Sequence, residues 1–470
     1  MKIQQLLAWV VTLGVAFTLS PSLRATPSEP QRKSSRPDMV IFLSDDHGQR
    51  DSTPYGAKDI KTPNMQRLAS MGMVFDRAFV ASPSCAPSRS AFLTGLMPAR
   101  NGAEANHSFK RPEVRSLMED LRDLGYESAA FGKVAHYKGA QRYGFDVTND
   151  KYDVETVAKF LRERDRSKPL CLFVGTHHPH VPWSNIEEYK PDDIQVPVQH
   201  VDTPETRNQR ARYYTDITKA DRELGEIYEL TQKELDPKKT LFMYTSDHGG
   251  QWPFGKWNLY DLGIQVPMIV VWPGVVSQGR SKAMVQWIDI VPTMIEIGGG
   301  KVDRDIDGRS FEKVLRGKVD SHRDAIYTTH HNDGDKNIYP CRSVRTEKFK
   351  YILNLEPTWA HTTHIDQGGG SGDGWRYFQT WVAQAEGDPV TAKKVQRYYE
   401  RPAEELYDLE MDPDEMHNVA SDPKYAESLS DLRTSLARWR KQQADNTPVK
   451  VAPRLLSDPS RWKFVPRPNP

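Results

Sequence analysis

Two short polar clusters follow apolar runs in this chain: Asp45-Asp46 after residues 39–43, and Asp247-His248 after residues 241–244. Adjacent carboxylates at the end of a strand repel one another unless a cation or cationic side chains stand nearby. One such pair alone reads as loop solvation or a helix cap. Two, both at the ends of buried strands, point to a divalent metal site. A third cluster is Ser84-Cys85-Ala86-Pro87-Ser88-Arg89, with Leu93-Thr94-Gly95 downstream. Pro87 suits the first turn of a helix, which puts Cys85 just ahead of it. A helix start and a nearby arginine both favour an anion. Cys85 therefore reads either as a thiolate nucleophile beside an anion pocket or as a buried structural cysteine.

The elements that must position these residues follow from the patterning. Residues 39–43, 170–174, 241–244 and 266–271 are continuous apolar runs of the kind found in central parallel strands. Helices alternate with them. Thr62-Pro63 opens one and Gly72 stops it. Val114, Leu117, Leu121 and Leu124 mark a second, closed by Gly125, and residues 213–230 a third. Alternation of this sort predicts an α/β domain with a mostly parallel sheet, whose ligands sit beyond the carboxyl ends of the strands. From about residue 327 the pattern changes. Residues 342–346 and 350–353 predict a hairpin, and Tyr425, Leu429, Leu432, Leu436 and Trp439 one face of a last helix. The expected organisation is a domain over 38–320, a smaller α+β domain over 321–445, and a Pro-rich tail over 446–470 that wraps the surface or is loose.

Lys2 and the apolar stretch 6–19, followed by Ala25, read as a secretory signal over 1–25, with a polar linker over 26–37; Leu23, a poor residue two positions before the cut, leaves an uncleaved membrane anchor as the alternative. No other stretch is long and apolar enough to span a bilayer, so the expected location is secreted, periplasmic or otherwise extracytoplasmic, without stable membrane insertion. A net charge of +1 over 470 residues implies no nucleic-acid partner. The three cysteines, Cys85, Cys171 and Cys341, are too few for a disulfide-stapled scaffold. A bridge between Cys171 and Cys341 stays open.

The segment C-A-P-S-R-S-A-F-L-T-G from Cys85 onward resembles the signature of the type I sulfatases, C-x-P-S-R with L-T-G downstream. The resemblance covers essentially the whole mature chain. It implies an alkaline-phosphatase-like fold, a mostly parallel sheet flanked by helices with a smaller C-terminal α+β domain. It also implies that Cys85 is oxidised to Cα-formylglycine by a formylglycine-generating enzyme. The hydrated aldehyde would supply the attacking hydroxyl, and its second hydroxyl would expel sulfate. Asp45 and Asp46 match the family's first metal pair and Asp247 and His248 its second, with Cys85 beside them. Hard oxygen ligands suit calcium, although an imidazole at His248 is less usual for that ion. Arg89 would hold the diol. Lys133 and His136, in G-K-V-A-H, resemble the family's lysine that contacts sulfate and histidine that turns the diol over. His177-His178-Pro179-His180 resembles the element whose histidine contacts sulfate and protonates the leaving group, with His177 matched first and His180 its rival. Lys256, in G-K-W-N-L-Y-D, resembles the sulfate-binding lysine.

Within the family, P-F-G-K-W-N-L-Y, Tyr339-Pro340-Cys341-Arg342 and Glu405-Leu406-Tyr407-Asp408 are similar to the sulfamidase branch, which includes heparan N-sulfatase. D-H-G and G-K-V-A-H are more similar to the iduronate 2-sulfatase branch. The expected substrate is a sulfated oligosaccharide or polysaccharide, with N-sulfoglucosamine the first reading and a sulfate ester of a host or algal glycan the alternative. His330, His331, Asn332, Asp333, Arg342 and Arg345 are expected near the sugar, or else in an ordinary solvated loop. A phosphonate or phosphate ester hydrolase and a non-catalytic glycan-binding protein are the readings from other classes. The single visible metal site counts against the former, and the complete set of reactive groups against the latter.

Overall fold

The computed structural model describes residues 36–368 and 373–464. The signal segment 1–25, all but the last two residues of the 26–37 linker, and the end of the tail lie outside them. Eight strands form the main sheet: β1 (Asp38–Ser44), β2 (Met73–Phe75), β3 (Glu127–Gly132), β4 (Val147–Asn149), β5 (Leu170–Gly175), β6 (Thr240–Ser246), β7 (Met268–Val271) and β8 (Gly279–Ser281). Their order across the sheet is β4-β3-β5-β1-β6-β7-β2-β8. The stretch from β4 to β6 is parallel throughout, and β7 runs against both its neighbours. Met39 to Leu43 are fully buried, as a strand covered by helices on both faces requires.

Register places four strand ends side by side. Gly132 pairs with Gly175, Leu43 with Gly175, and Ser44 with Ser246. The loops that leave β3, β5, β1 and β6 therefore start from one edge of the sheet. Gly132 has a left-handed φ of 74° and lies so close to the Gly175 carbonyl that a Cβ would collide with it. That turn aims Lys133 back over the strand ends.

The helix predicted from Val114 begins later, at Leu117, and runs to Asp123. Ser116 and Glu119 form a capping box there, which fixes the start. The helix predicted over 213–230 is longer, Pro204–Glu234. Thr203 caps it and Pro204 opens it, so its polar first turns are helical as well.

Four antiparallel strands, β9 (Ala325–Asp333), β10 (Asn337–Thr346), β11 (Phe349–Asn354) and β12 (Glu404–Asp408), form the second sheet. The helix Ala426–Gln442 lays Leu429, Leu432, Leu436 and Trp439 against Val344, Tyr351 and Leu406 on this sheet. Burial of each such side chain stabilises by about 1.5–3 kcal/mol. The described part of the tail wraps the surface: Leu455 bridges to Trp359, and the Trp462 ring lies 5.0 Å from Tyr399. Cys171 lies in β5 and Cys341 in β10, and both are free thiols, so the bridge left open by the sequence is not formed. Among the described residues no helix is long and apolar enough to cross a membrane.

Candidate active site

Cys85 is the first residue of the helix Cys85–Thr94, whose every residue is buried. Ser84 is extended at its N-cap, and Gly95, at a φ of 70°, closes its far end. The helix points its start at the shared edge of β3, β5, β1 and β6. There Cys85 Sγ lies 3.2 Å from His248 Nε2 and 3.9 Å from Asp45 Oδ1. Burial, opposed by Lys133 and Lys256, pushes the Cys85 thiol well up. The unmodified cysteine is thus a poor thiolate.

Three carboxylates and three cations are packed around it. Arg89 Nε donates to Asp247 Oδ2 at 3.0 Å and Nη2 to Asp45 Oδ1 at 3.1 Å. Lys133 Nζ pairs with Asp45, and Lys256 Nζ with Asp46. Burial alone would raise the Asp45 carboxyl, but Lys133 and Arg89 together hold it well below the usual range. His248 Nδ1 contacts the Gly249 carbonyl at 3.0 Å, which places the ring proton there. The other nitrogen, Nε2, then presents a lone pair 3.4 Å from Asp46 Oδ1 and 3.5 Å from Asp247 Oδ2. Acceptors facing acceptors in a buried site call for a cation between them. Ligand atoms of Asp46, Cys85, Asp247 and His248 all lie within 4.8 Å of one another, and so do those of Asp45, Asp46 and His180. This donor set fits one divalent cation. The site is charge-balanced without it, so a bound divalent ion would leave net positive charge to meet an anion.

Above the cluster opens a cavity of about 560 Å³ whose walls include Cys85, Lys133, His136, His177, His180 and Lys256. Residues 37–300 match the sulfatase family, and residues 247–361 match the C-terminal region of N-sulphoglucosamine sulphohydrolase. The chain belongs to the sulfatase family. It is a hydrolase of sulfate esters or sulfamates. An ulvan-active sulfatase of Formosa agariphila is 32% identical to this sulfatase over 428 residues, spanning 88% of this chain and 81% of that protein. N-sulphoglucosamine sulphohydrolase of Homo sapiens is 28% identical over 470 residues, spanning 87% and 91%. A solved structure in complex with its substrate D-glucosamine-2-N,6-O-disulfate shares the fold, with a TM-score of 0.67 at 20% identity over 88% of this chain and 99% of that one.

The sulfatase fold brings together all eleven residues singled out in its sequence: Asp45, Asp46, Cys85, Arg89, Lys133, His136, His177, His180, Asp247, His248 and Lys256. The two rival histidines separate by depth. His177 is exposed on the cavity wall, whereas His180 reaches down to Asp45 and Asp46. Burial, then Lys256, pushes His180 down to about 4. Arg342 and Arg345 are not in the cavity. Arg342 is buried on Asp445 at 2.5 Å and Arg345 on Asp261 at 3.1 Å, so neither is available to a sugar. His330 is buried against Asn337, and His331 against Asn332 and the Thr447 carbonyl. Of that polar stretch, Asp333 alone lines the cavity, together with Asn106 and His107, which no sequence signal marked.

Proposed function

We propose that this sulfatase removes sulfate from a sulfated glycan, with Cys85 converted to formylglycine and a divalent cation, calcium, held by Asp45, Asp46, Asp247 and His248. The observation that carries the reading is the placement of Cys85 at the start of a buried helix, on the floor of a cavity where Arg89, Lys133 and Lys256 converge. The catalytic centre belongs to the 38–320 domain, and the 321–445 domain closes one wall. The hydrated aldehyde supplies one hydroxyl, which gives its proton to one of the carboxylates around residue 85 as it attacks sulfur, and a second whose deprotonation re-forms the aldehyde and expels sulfate. When bound, a divalent cation would supply positive charge beside residue 85 and the sulfate group.

The remaining chemistry is done by side chains. Lys133 and Lys256 bind sulfate oxygens as the negative charge shifts among them, an electrostatic role that is commonly the largest single contribution. Arg89 orients residue 85 through Asp45 and Asp247. His180 gives a proton to the departing oxygen or nitrogen; its depth beside the carboxylates favours it over His177. To act as that acid His180 takes up a proton from solvent once the anionic substrate is bound. His136 takes the proton whose loss releases sulfate.

The substrate read first is N-sulfoglucosamine, supported by the match of residues 247–361. A sulfate ester of a polysaccharide is supported by the likeness to the ulvan-active enzyme. The deciding experiment is sulfate release by the exported, purified protein after mass spectrometry confirms the aldehyde at position 85. Release from N-sulfated glucosamine alone supports the sulfamidase reading. Release only from 2-O-, 6-O- or algal sulfate esters sinks it and leaves a glycan O-sulfatase. No release from any of them, with the aldehyde present, overturns the glycan reading and favours a phosphonate or phosphate ester.

A further inference from the structure

A line of polar groups runs from the second sheet into the cavity. Asp333 ends β9, just past an irregularity in the β9–β10 register at His330–Asn332, and bulges of this kind re-aim side chains. Its Oδ2 accepts from Asn106 Nδ2 at 2.8 Å and from the Trp257 indole N–H at 2.7 Å. Asn106 Oδ1 in turn accepts from the Ala86 amide, in the first turn of the Cys85 helix. The carboxylate is thus pinned at one oxygen. The other, Oδ1, lies 3.0 Å from His107 Nε2, a close contact off the N–H axis. His107 Nδ1 lies 2.7 Å from His136 Nε2. His107 takes a left-handed φ of 64°, uncommon for a side chain of its size, and Tyr137 stacks on its ring at 5.4 Å.

These distances fix where the protons go. A carboxylate oxygen at 3.0 Å repels a lone pair and attracts an N–H, so His107 carries its proton on Nε2. In a neutral His107, Nδ1 is then an acceptor, and His136 donates from Nε2. That leaves His136 Nδ1 with the lone pair, buried and without a hydrogen-bond partner among the described residues. We propose that Asp333 and His107 are positioning residues that lock His136 in the Nε2–H tautomer, making Nδ1 the proton-accepting atom of the site. The proposal deepens the reading of His136 as the base and rests on it. When Nδ1 gains a proton, the Nε2–H bond to His107 becomes charge-assisted, and Asp333 supports that charge one ring removed, through its contact with His107.

The surroundings make such support necessary. Burial, then Lys133 and Arg89, push His136 down to about 3, and Asp45 opposes them. Tyr137 covers the ring at 4.1 Å. On the far side, His364 and Lys336 line the cavity with Asp333. The Asp333 carboxyl lies well below the usual range, because His107, His364, Trp257 and Asn106 outweigh its burial.

The test is long-range proton–nitrogen NMR of the histidine rings in the full mature chain, assigned with His136→Gln and His107→Gln. The expected result is a protonated Nε2 and a bare Nδ1 on His136, with the preference lost in Asp333→Asn. In turnover, Asp333→Asn and His107→Phe lower kcat by about 10- to 100-fold with KM unchanged and shift the acid limb of the pH profile, whereas His107→Gln, which keeps an acceptor, recovers part of the loss. A wild-type His136 protonated on Nδ1 overturns the proposal. So does His107→Phe with wild-type kcat and pH profile. The NMR reading does not need activity: a correct tautomer in a protein that releases no sulfate would sink the proposed function and leave the positioning role standing.

Discussion

Lys256 sits astride Asp46, with Nζ 3.0 Å from Oδ1 and 2.8 Å from Oδ2, and both side chains are almost completely shielded from water. Burial alone would lower the Lys256 ammonium, and Asp46 more than offsets it. The same carboxylate faces His248 and is one of the proposed cation ligands, so Lys256 and a bound metal ion would share it.

Lys256→Met removes that competitor. Breaking a buried pair by removing one partner costs about 3–5 kcal/mol, so the metal-free variant should melt below the wild type. Added calcium should raise its melting temperature more than it raises that of the wild type. Sulfate release should fall by about 100-fold or more in kcat. Thermal melts with and without calcium, beside a turnover assay, check both. Wild-type turnover in the variant would take Lys256 out of the sulfate pocket.

Removal of the cation should abolish turnover reversibly. Dialysis against a chelator is expected to stop sulfate release, and calcium to restore it. At a hundredfold excess over its dissociation constant the ion should add about 2.7 kcal/mol of stability. Asp247→Asn should lose most of that increment. A chelated protein of unchanged activity and melting temperature would refute the metal site.

Arg342 and Asp445 are joined by two contacts, at 2.7 and 2.5 Å, with both side chains buried. Asp445→Asn should destabilise by about 3 kcal/mol while the folded fraction keeps its KM. Denaturant unfolding and kinetics separate the two effects. A raised KM at unchanged stability would return Arg342 to the substrate.

Acid should destabilise the fold through histidines remote from the cation site. Burial pushes His330 down to about 4 and His200 and His361 well below their ordinary value. The unfolded chain takes up these protons below about pH 6.5 and the native state does not. Stability should therefore fall from pH 6.5 toward pH 4, by about 1.4 kcal/mol per pH unit for each such group. Asp221 and Asp366, raised by burial to about 6, act the other way, adding stability as pH falls below 6. Three histidines outweigh two aspartates, so the melting temperature should decline across that window. His330→Gln should flatten the decline; an unchanged slope would contradict the assignment.

Much of the scaffold was legible because it obeys local rules. A strand covered on both faces must be apolar throughout, which exposed β1, β5 and β6. A helix on one sheet face must show its period, which exposed Leu429, Leu432, Leu436 and Trp439. Helix starts were less legible, since Ser116 with Glu119 and Thr203 with Pro204 set them through capping rather than apolar period.

The sequence by itself determined the reactive inventory: the Cys85 segment, the acidic pairs that follow β1 and β6, and the lysines and histidines that accompany them. Those are contiguous motifs, and their chemistry is a property of residue type and short spacing. Only the tertiary structure decided that Arg342 is spent on an ion pair, since it meets an aspartate 103 positions away. It alone separated His177 from His180 by depth. It alone brought Asp333 from the second sheet to His107, and His107 to His136, because proton placement depends on contacts of about 3 Å between segments that no local pattern joins.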